Sequence, residues 1–360
     1  MSAALDATDR KLLDLLQKEF PLLARPYAVL GSRTGLAEDE VCEKVAGWQK
    51  SGIVRRLGAV FDSKHLGYRS VLVAMGVPEA RVEEVAAQIS RWPGVTHNYL
   101  RETIDGDPPL NYNLWFTLTA PTKDEIDVIL REISRGTGIT DILELPARRL
   151  FKIKVEFEMS PGADRPAQKR AAAQAAGGQT AAGARSSVDP PSLNQHFAAL
   201  TGQDWRIIGV LQEDLPAVPE PYAVLADRLG MRQEELQAKI REYLAAGIIR
   251  RFGATLKHQE VGFAANAMGV WRVPAEREDE VGRRMAQFRA VSHCYSRATH
   301  PRWPYNLYTM IHAQRREDCL EVARQISTAT GVADYRLLFT ARELKKERMR
   351  YRSDPGKDAQ

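Results

Sequence analysis

The chain has 360 residues, 44% of them hydrophobic and 27% charged, with a formal net charge of +5. That length accommodates two or more domains with their own cores, and no apolar run approaches the roughly 20 residues of a membrane-spanning helix. Met1 to Arg10 is polar, and Cys42, Cys294 and Cys319 lie far apart without CxxC spacing; secretion, a disulfide scaffold and a cysteine zinc site are disfavoured, and a cytoplasmic location is expected.

Taken in order, Leu5 to Leu16 carries leucines at helical spacing behind Asp6 and Asp9, which predicts a short helix. Pro26 opens a second helix, where its missing N–H costs nothing, and Thr34-Gly35 turns the chain. Leu36 to Lys50 predicts a third helix with Val41, Val45 and Trp48 on one face. Ile53 to Asp62 reads as a strand pair or wing, so the first 62 residues predict a winged helix-turn-helix. From there the pattern changes. Ser70 to Val77, Gly94 to Arg101, Asn111 to Ala120 and Thr140 to Glu158 read as strands, the last as one or two. Pro78 to Arg91 and Thr122 to Arg135 read as helices. The order βαββαβ over residues 63–159 is the ferredoxin-like arrangement.

Residues 160–192 consist largely of Ala, Gly, Gln, Pro and Ser and read as a flexible linker. Beyond it the pattern repeats. Pro26-Tyr27-Ala28-Val29-Leu30 recurs as Pro221-Tyr222-Ala223-Val224-Leu225. Gly52 to Ala59 recurs as Gly247 to Ala254, each with an Arg-Arg pair and a Gly-Ala step. The chain is therefore α+β and a tandem duplication: residues 193–257 form a second winged helix-turn-helix and 258–352 a second ferredoxin-like domain. Such a duplication predicts an internal pseudo-dimer, paired through the two ferredoxin-like sheets, and leaves further homo-oligomerisation open.

The chemistry-bearing residues gather in one hairpin of each copy. His97, Tyr99 and Arg101 alternate along one strand and share a face, as do His293, Tyr295 and Arg297. Tyr112-Asn113-Leu114 and Tyr305-Asn306-Leu307 repeat on the following strands. His312 stands where the first copy has Thr119, and Trp303 and His300 are extra in the second copy. His65, His196 and His258 read as structural. The chain has 37 Arg against 14 Lys, and arginine's planar fork suits carboxylate or phosphate. Two readings compete, a nucleic-acid binder and a polycarboxylate binder. The predicted recognition helix Leu36 to Lys50 holds four acidic residues against two Lys. Its counterpart Met231 to Ala246 is balanced at three against three. Phosphate neutralisation dominates DNA affinity, so nucleic acid is not the expected partner.

The join from Ile53 to Gly67 and the domain order resemble the Lrp/AsnC transcription regulators. The Pro-Tyr-Ala-Val-Leu, Arg-Arg, His-x-Tyr-x-Arg and Tyr-Asn-Leu motifs resemble instead the siroheme decarboxylases, which share that fold and work in haem d1 and alternative haem synthesis. In that family two related subunits are common, and here both look fused. The resemblance implies loss of two acetate carboxyl groups from siroheme, giving 12,18-didecarboxysiroheme and CO2, with no cofactor beyond the substrate's own iron. It further implies catalytic roles for His97, His293, Tyr295 and His312, with His293 or His97 as axial ligand of that iron. Carboxylates and macrocycle would then be held by Arg55, Arg56, Arg101, Arg250, Arg251, Arg297, Tyr99, Tyr112, Asn113, Trp303, Tyr305 and Asn306. A Lrp/AsnC-type DNA-binding regulator and a non-catalytic haem sensor are the alternatives.

Overall fold

The computed structural model describes residues 5–104, 111–153, 200–256 and 265–351. Its first half begins with three helices, α1 (Ala7–Lys18), α2 (Pro26–Thr34) and α3 (Glu38–Ser51). The Asp6 carboxylate accepts from the Asp9 amide to start α1, Pro26 opens α2, and Gly52 closes α3 in the left-handed region; these are ordinary helix-end solutions. Strand β1 (Val54–Phe61) follows. In the second half α6 (Gly202–Leu211), α7 (Pro221–Leu229), α8 (Gln233–Ala245) and β6 (Ile249–Leu256) repeat this unit.

The sequence leads one to expect a wing or strand pair inside each half. Among the described residues each helical unit instead contributes one strand, and β1 and β6 pair with each other, antiparallel, with Gly58 opposite Gly253. A Cβ on Gly253, whose φ is +154°, would sit 2.6 Å from the Leu16 carbonyl oxygen, so the Gly-Ala step is what lets the helix end approach the shared sheet. The two helical units consequently have a single core, in which Leu12, Leu16 and Leu57 pack with Ile207, Leu211 and Phe252. The repeated Pro-Tyr motif serves this pairing: the Tyr27 hydroxyl donates to the Pro216 carbonyl at 3.1 Å and the Tyr222 hydroxyl to Pro21 at 2.9 Å.

After each helical unit the chain runs βαββαβ. In the first half these elements are β2 (Arg69–Met75), α4 (Val82–Ser90), β3 (Val95–Glu102), β4 (Leu114–Ala120), α5 (Lys123–Thr137) and β5 (Ile142–Ile153). In the second they are β7 (Ala265–Trp271), α9 (Glu278–Gln287), β8 (Val291–Arg297), β9 (Leu307–Ala313), α10 (Arg316–Thr330) and β10 (Tyr335–Lys346). The eight strands close into one barrel in the order β10-β3-β4-β2-β5-β8-β9-β7. Two seams join the halves: β5 pairs with β8, and β10 with β3. Helices pack outside over two cores, around Val85, Ile89 and Phe116 in one half and Val281, Met285 and Ile311 in the other. A third core, including Trp115, Leu145, Trp303, Tyr308 and Leu338, fills the barrel and draws on both halves. The region expected to be a linker, 160–192, lies outside the described residues, as do His196 and His258.

Candidate functional site at the barrel seams

In both copies the strand pairing shifts by one residue just before the histidine, between Val95 and His97 and between Val291 and His293. Such a bulge re-aims the side chains that follow. The residue at each bulge, Thr96 or Ser292, then sets its hydroxyl 2.8 Å from the histidine's Nδ1. Beyond the bulge His97, Tyr99 and Arg101 alternate with Asn98, which turns outward to the Ala86 carbonyl and Ser90. His293, Tyr295 and Arg297 alternate in the same way with Cys294, whose thiol lies against the Gly282 carbonyl of α9. The His-Tyr-Arg faces therefore look into the barrel, one beside each seam.

Each guanidinium stacks on its neighbouring tyrosine, Arg101 over Tyr99 and Arg297 over Tyr295, both at 5.2 Å; Arg297 also lies over Tyr308 at 5.5 Å. Arg101, 6% exposed, donates to the Leu338 carbonyl at 3.1 Å, and Arg297 to the Leu145 carbonyl at 2.8 Å. Each thereby grips the other half's last strand. In both, Nε is buried without a hydrogen-bond partner, and among the described residues neither is ion-paired. Burial lowers the pKa of both, Arg101's to about 10. A buried cation without a counter-charge is costly, and here carbonyl acceptors and tyrosine faces offset part of that cost.

Burial lowers both histidines to about 4, helped at His97 by the charges of Lys346 and Arg55 and at His293 by Arg250 and Lys152. Both imidazoles are thus neutral at neutral pH, the form that ligates iron. With values near 4, neither ring titrates near neutrality. Burial also raises Tyr99, to about 12, and Tyr295, which keeps both phenols protonated.

The Arg-Arg pairs split. Arg55 reaches the Lys346 carbonyl at 3.2 Å, and Arg250 lies 3.8 Å from the Asp62 carboxylate; their charges are felt at His97 and His293 respectively. Arg56 and Arg251, expected with them as carboxylate binders, are turned elsewhere. Arg56 points to the Leu211 carbonyl, its pKa lowered to about 10 by burial and then by Arg348, and Arg251 binds the Ala254 carbonyl and Thr255 hydroxyl within its own strand. Adjacent residues on a strand point to opposite sides, so only one arginine of each pair faces the cluster.

Several other expected contacts have structural work instead. Asn113 clamps both backbone groups of Val77, at 2.8 and 3.0 Å, and Asn306 does the same to Val273, both at 2.9 Å. The Tyr112 hydroxyl donates to Asp141, which also takes Arg302 across the halves. Trp303 is buried in the barrel, its indole N–H on the Tyr308 hydroxyl at 2.9 Å, with Tyr305 packed against it edge-on. His300 shapes the turn before Trp303, and His65 lies 3.5 Å from Asp62. His312, expected to have a catalytic role, has its Nε2 2.9 Å from the Ser292 hydroxyl, which places Ser292 between it and His293.

Sequence reasoning missed the residues supplied across the seams. Lys346 stands opposite His97 and Glu343 opposite Tyr99, whereas Ile153 stands opposite His293 and Leu150 opposite Tyr295. It also passed over Thr96 and Ser292, although a hydroxyl residue before each histidine was visible in both copies.

The chain matches two family models, each in both copies: one described as siroheme decarboxylase NirDL-like HTH domain, over residues 9–55 and 204–250, and one described as AsnC-like ligand binding domain, over residues 65–152 and 260–345. A siroheme decarboxylase of Hydrogenobacter thermophilus is 36% identical over 96% of this chain and 95% of its own length. The siroheme decarboxylase alpha subunit of Desulfovibrio desulfuricans is 48% identical over 44% of this chain and 86% of its own length, and the beta subunit from Methanosarcina barkeri 44% identical over 41% and 97%. Among solved structures, the siroheme decarboxylase NirDL superposes with a TM-score of 0.67 at 32% identity, covering 96% of this chain and 94% of that one; a second NirDL structure, in complex with an iron-uroporphyrin III analogue, scores the same. The chain belongs to the siroheme decarboxylase family, with the two kinds of subunit joined in one polypeptide.

Proposed function

We propose that this protein removes the carboxyl groups of two acetate side chains of siroheme, giving 12,18-didecarboxysiroheme and two CO2, and that the seam between β5 and β8 is the main reaction centre. The observation that carries the reading is the pair of buried, unpaired guanidiniums, Arg101 and Arg297, each beside a tyrosine and a neutral histidine on the barrel's inner face. A macrocycle rimmed with eight carboxylates supplies the missing anion, and a charge-assisted contact of this kind is among the stronger hydrogen bonds available to a protein. Each decarboxylation converts R–CH2–COO⁻ and one proton into R–CH3 and CO2. The chain's residues must hold the carboxylates, orient the ring and bring a proton to the methylene carbon.

The choice of seam rests on what the other half contributes. At the β10–β3 seam, Glu343 lies 3.9 Å from Arg55 and 3.5 Å from Lys346, so a carboxylate and its cations sit beside His97. At the β5–β8 seam the register-equivalent residues are Leu150 and Ile153, 46% and 37% exposed. An exposed apolar edge suits the flat face of a tetrapyrrole, and it is this edge that separates the seams, since each has a carboxylate beside its cations, Glu343 at one and Asp62, 3.8 Å from Arg250, at the other. In this reading His293 is the axial ligand of the substrate iron, with Tyr295, Arg297 and Arg250 around it. Work in the cytoplasm fits a chain in which no described helix is long and apolar enough to cross a membrane.

Anaerobic incubation with siroheme followed by mass analysis tests the activity. Loss of two CO2 per macrocycle is expected; siroheme recovered with all its carboxyl groups would refute the reading.

A further inference from the structure

A line of three side chains runs through the second copy and has no counterpart in the first. Nδ1 of His293 lies 2.8 Å from the Ser292 hydroxyl, and the same hydroxyl lies 2.9 Å from Nε2 of His312. The Met310 carbonyl, at a longer 3.4 Å, is a third acceptor for the hydroxyl's hydrogen. In the first copy Thr96 meets Nδ1 of His97 at the same 2.8 Å. Behind it, however, stands Thr119, whose hydroxyl pairs with Ser70 at 2.7 Å. The bulge that produces the first contact is present in both copies; the second imidazole is not.

We propose that His312 is a positioning residue that acts on His293 through Ser292, setting which ring nitrogen of His293 carries hydrogen. This rests on the reading of His293 as the histidine of the reaction centre. A serine hydroxyl has one hydrogen to give. When that hydrogen goes to Nε2 of His312, Ser292 must accept from Nδ1–H of His293. Nε2 of His293 then holds a lone pair, the form that binds iron or takes a proton. When Nε2 of His312 is itself protonated it donates to Ser292, and the hydroxyl hydrogen is free to turn to Nδ1 of His293 or to the Met310 carbonyl. In the first case Nε2 of His293 carries hydrogen, the form that donates a hydrogen bond. An unprotonated Nε2 on His312 thus fixes the hydrogen on His293 across two short contacts, a protonated one releases it, and the hydrogen bond made by one ring nitrogen commonly decides the role of the other in this way. His97 lacks this control, because among the described residues no second imidazole is bonded to Thr96.

The arrangement also explains the departure at position 312 without adding another group to the cluster. His312 need not touch the macrocycle. Its Nε2 is taken up by Ser292, and its effect reaches the reaction through the tautomer and the ring angle of His293.

The test uses the intact, substrate-free protein with 15N-labelled histidine and reads the ring-nitrogen shifts of His293, assigned by their loss in His293→Ala. His312→Thr, which installs the first copy's residue, and Ser292→Ala should each change the tautomer pattern of His293. Ser292→Thr, which keeps a hydroxyl as at Thr96, should retain it. The signals of His97 serve as the folding control in every variant. With siroheme, His312→Thr should lower kcat about tenfold while leaving KM unchanged, the signature of a residue that orients rather than binds. An unchanged His293 pattern in His312→Thr overturns the proposal, and so does a pattern altered by Ser292→Ala alone, which would reduce Ser292 to an ordinary hydrogen bond. Because the nuclear magnetic resonance measurement needs no substrate, it fails or succeeds independently of the assigned activity.

Discussion

Lys346 stands in register opposite His97 across the seam between β10 and β3. The position that answers it across the other seam is Ile153, opposite His293. The two halves repeat each other closely enough to close one barrel, yet each delivers a different last strand to its neighbour's histidine. Burial and the Glu343 carboxylate hold Lys346 in place, the burial lowering its pKa. Converting the first seam to the second seam's character, by Glu343→Leu with Lys346→Ile, should create a second binding site. Titration of siroheme against the double variant should then show a stoichiometry above that of the parent; an unchanged stoichiometry would remove these two residues as the cause of the asymmetry.

The buried arginines carry opposite consequences for stability and for binding. Loss of a charge-assisted contact is worth about 1.5–3 kcal/mol, so Arg297→Ala should weaken siroheme binding by roughly one to two decades. Arg297→Met removes the same charge but keeps most of the volume, and replacing an unpaired buried ion by an apolar side chain is often stabilising. The substrate-free Met variant should therefore melt no lower than the parent while binding siroheme poorly. A Met variant with parental affinity would take Arg297 out of the site.

The two seams and the shared β1–β6 sheet together hold the halves. A protease site introduced within residues 160–192 and then cut should leave both pieces eluting together on gel filtration at neutral pH. Elution as two separate pieces would mean that the strand pairings do not suffice to hold them.

Acid should loosen the protein through its two neutral histidines. His97 and His293 have folded-state values near 4, against about 6.5 when unfolded. Between those values the unfolded chain binds more protons than the folded one, so stability rises with pH there and falls as pH drops from 6.5 toward 4. Above 6.5 the two groups contribute no slope. In the double variant His97→Asn, His293→Asn the melting temperature should depend less steeply on pH across that window. An identical slope would show that the rings are not held neutral by their surroundings.

How far the sequence carried these conclusions differs from element to element. The duplication, the three helices of each unit, the βαββαβ order and the common face of His, Tyr and Arg follow from periodicity and from strand alternation, both local properties. The wing did not, because β1 finds its partner some two hundred residues away and no turn signal marks it. The same reason hid Lys346, Glu343, Leu150 and Ile153, which reach the clusters only through pairing between halves. Recurrence in both copies raised Asn113, Asn306 and Tyr112 as candidates. It cannot separate a fold clamp from a substrate contact, since a duplicated fold repeats both. The bulges at Thr96 and Ser292 break the alternation by one residue, so simple parity gave no reason to place their hydroxyls against the neighbouring rings.

The assignment of the reaction centre is tested most directly by comparing two single variants under one condition. Anaerobic release of CO2 from siroheme should be strongly slowed in His293→Ala, because the macrocycle loses the neutral imidazole proposed to hold its iron. In His97→Ala, at the seam occupied by Glu343 and Lys346, it should continue at a rate close to that of the parent. Full activity in His293→Ala together with abolished turnover in His97→Ala would place the chemistry at the other seam and contradict the account.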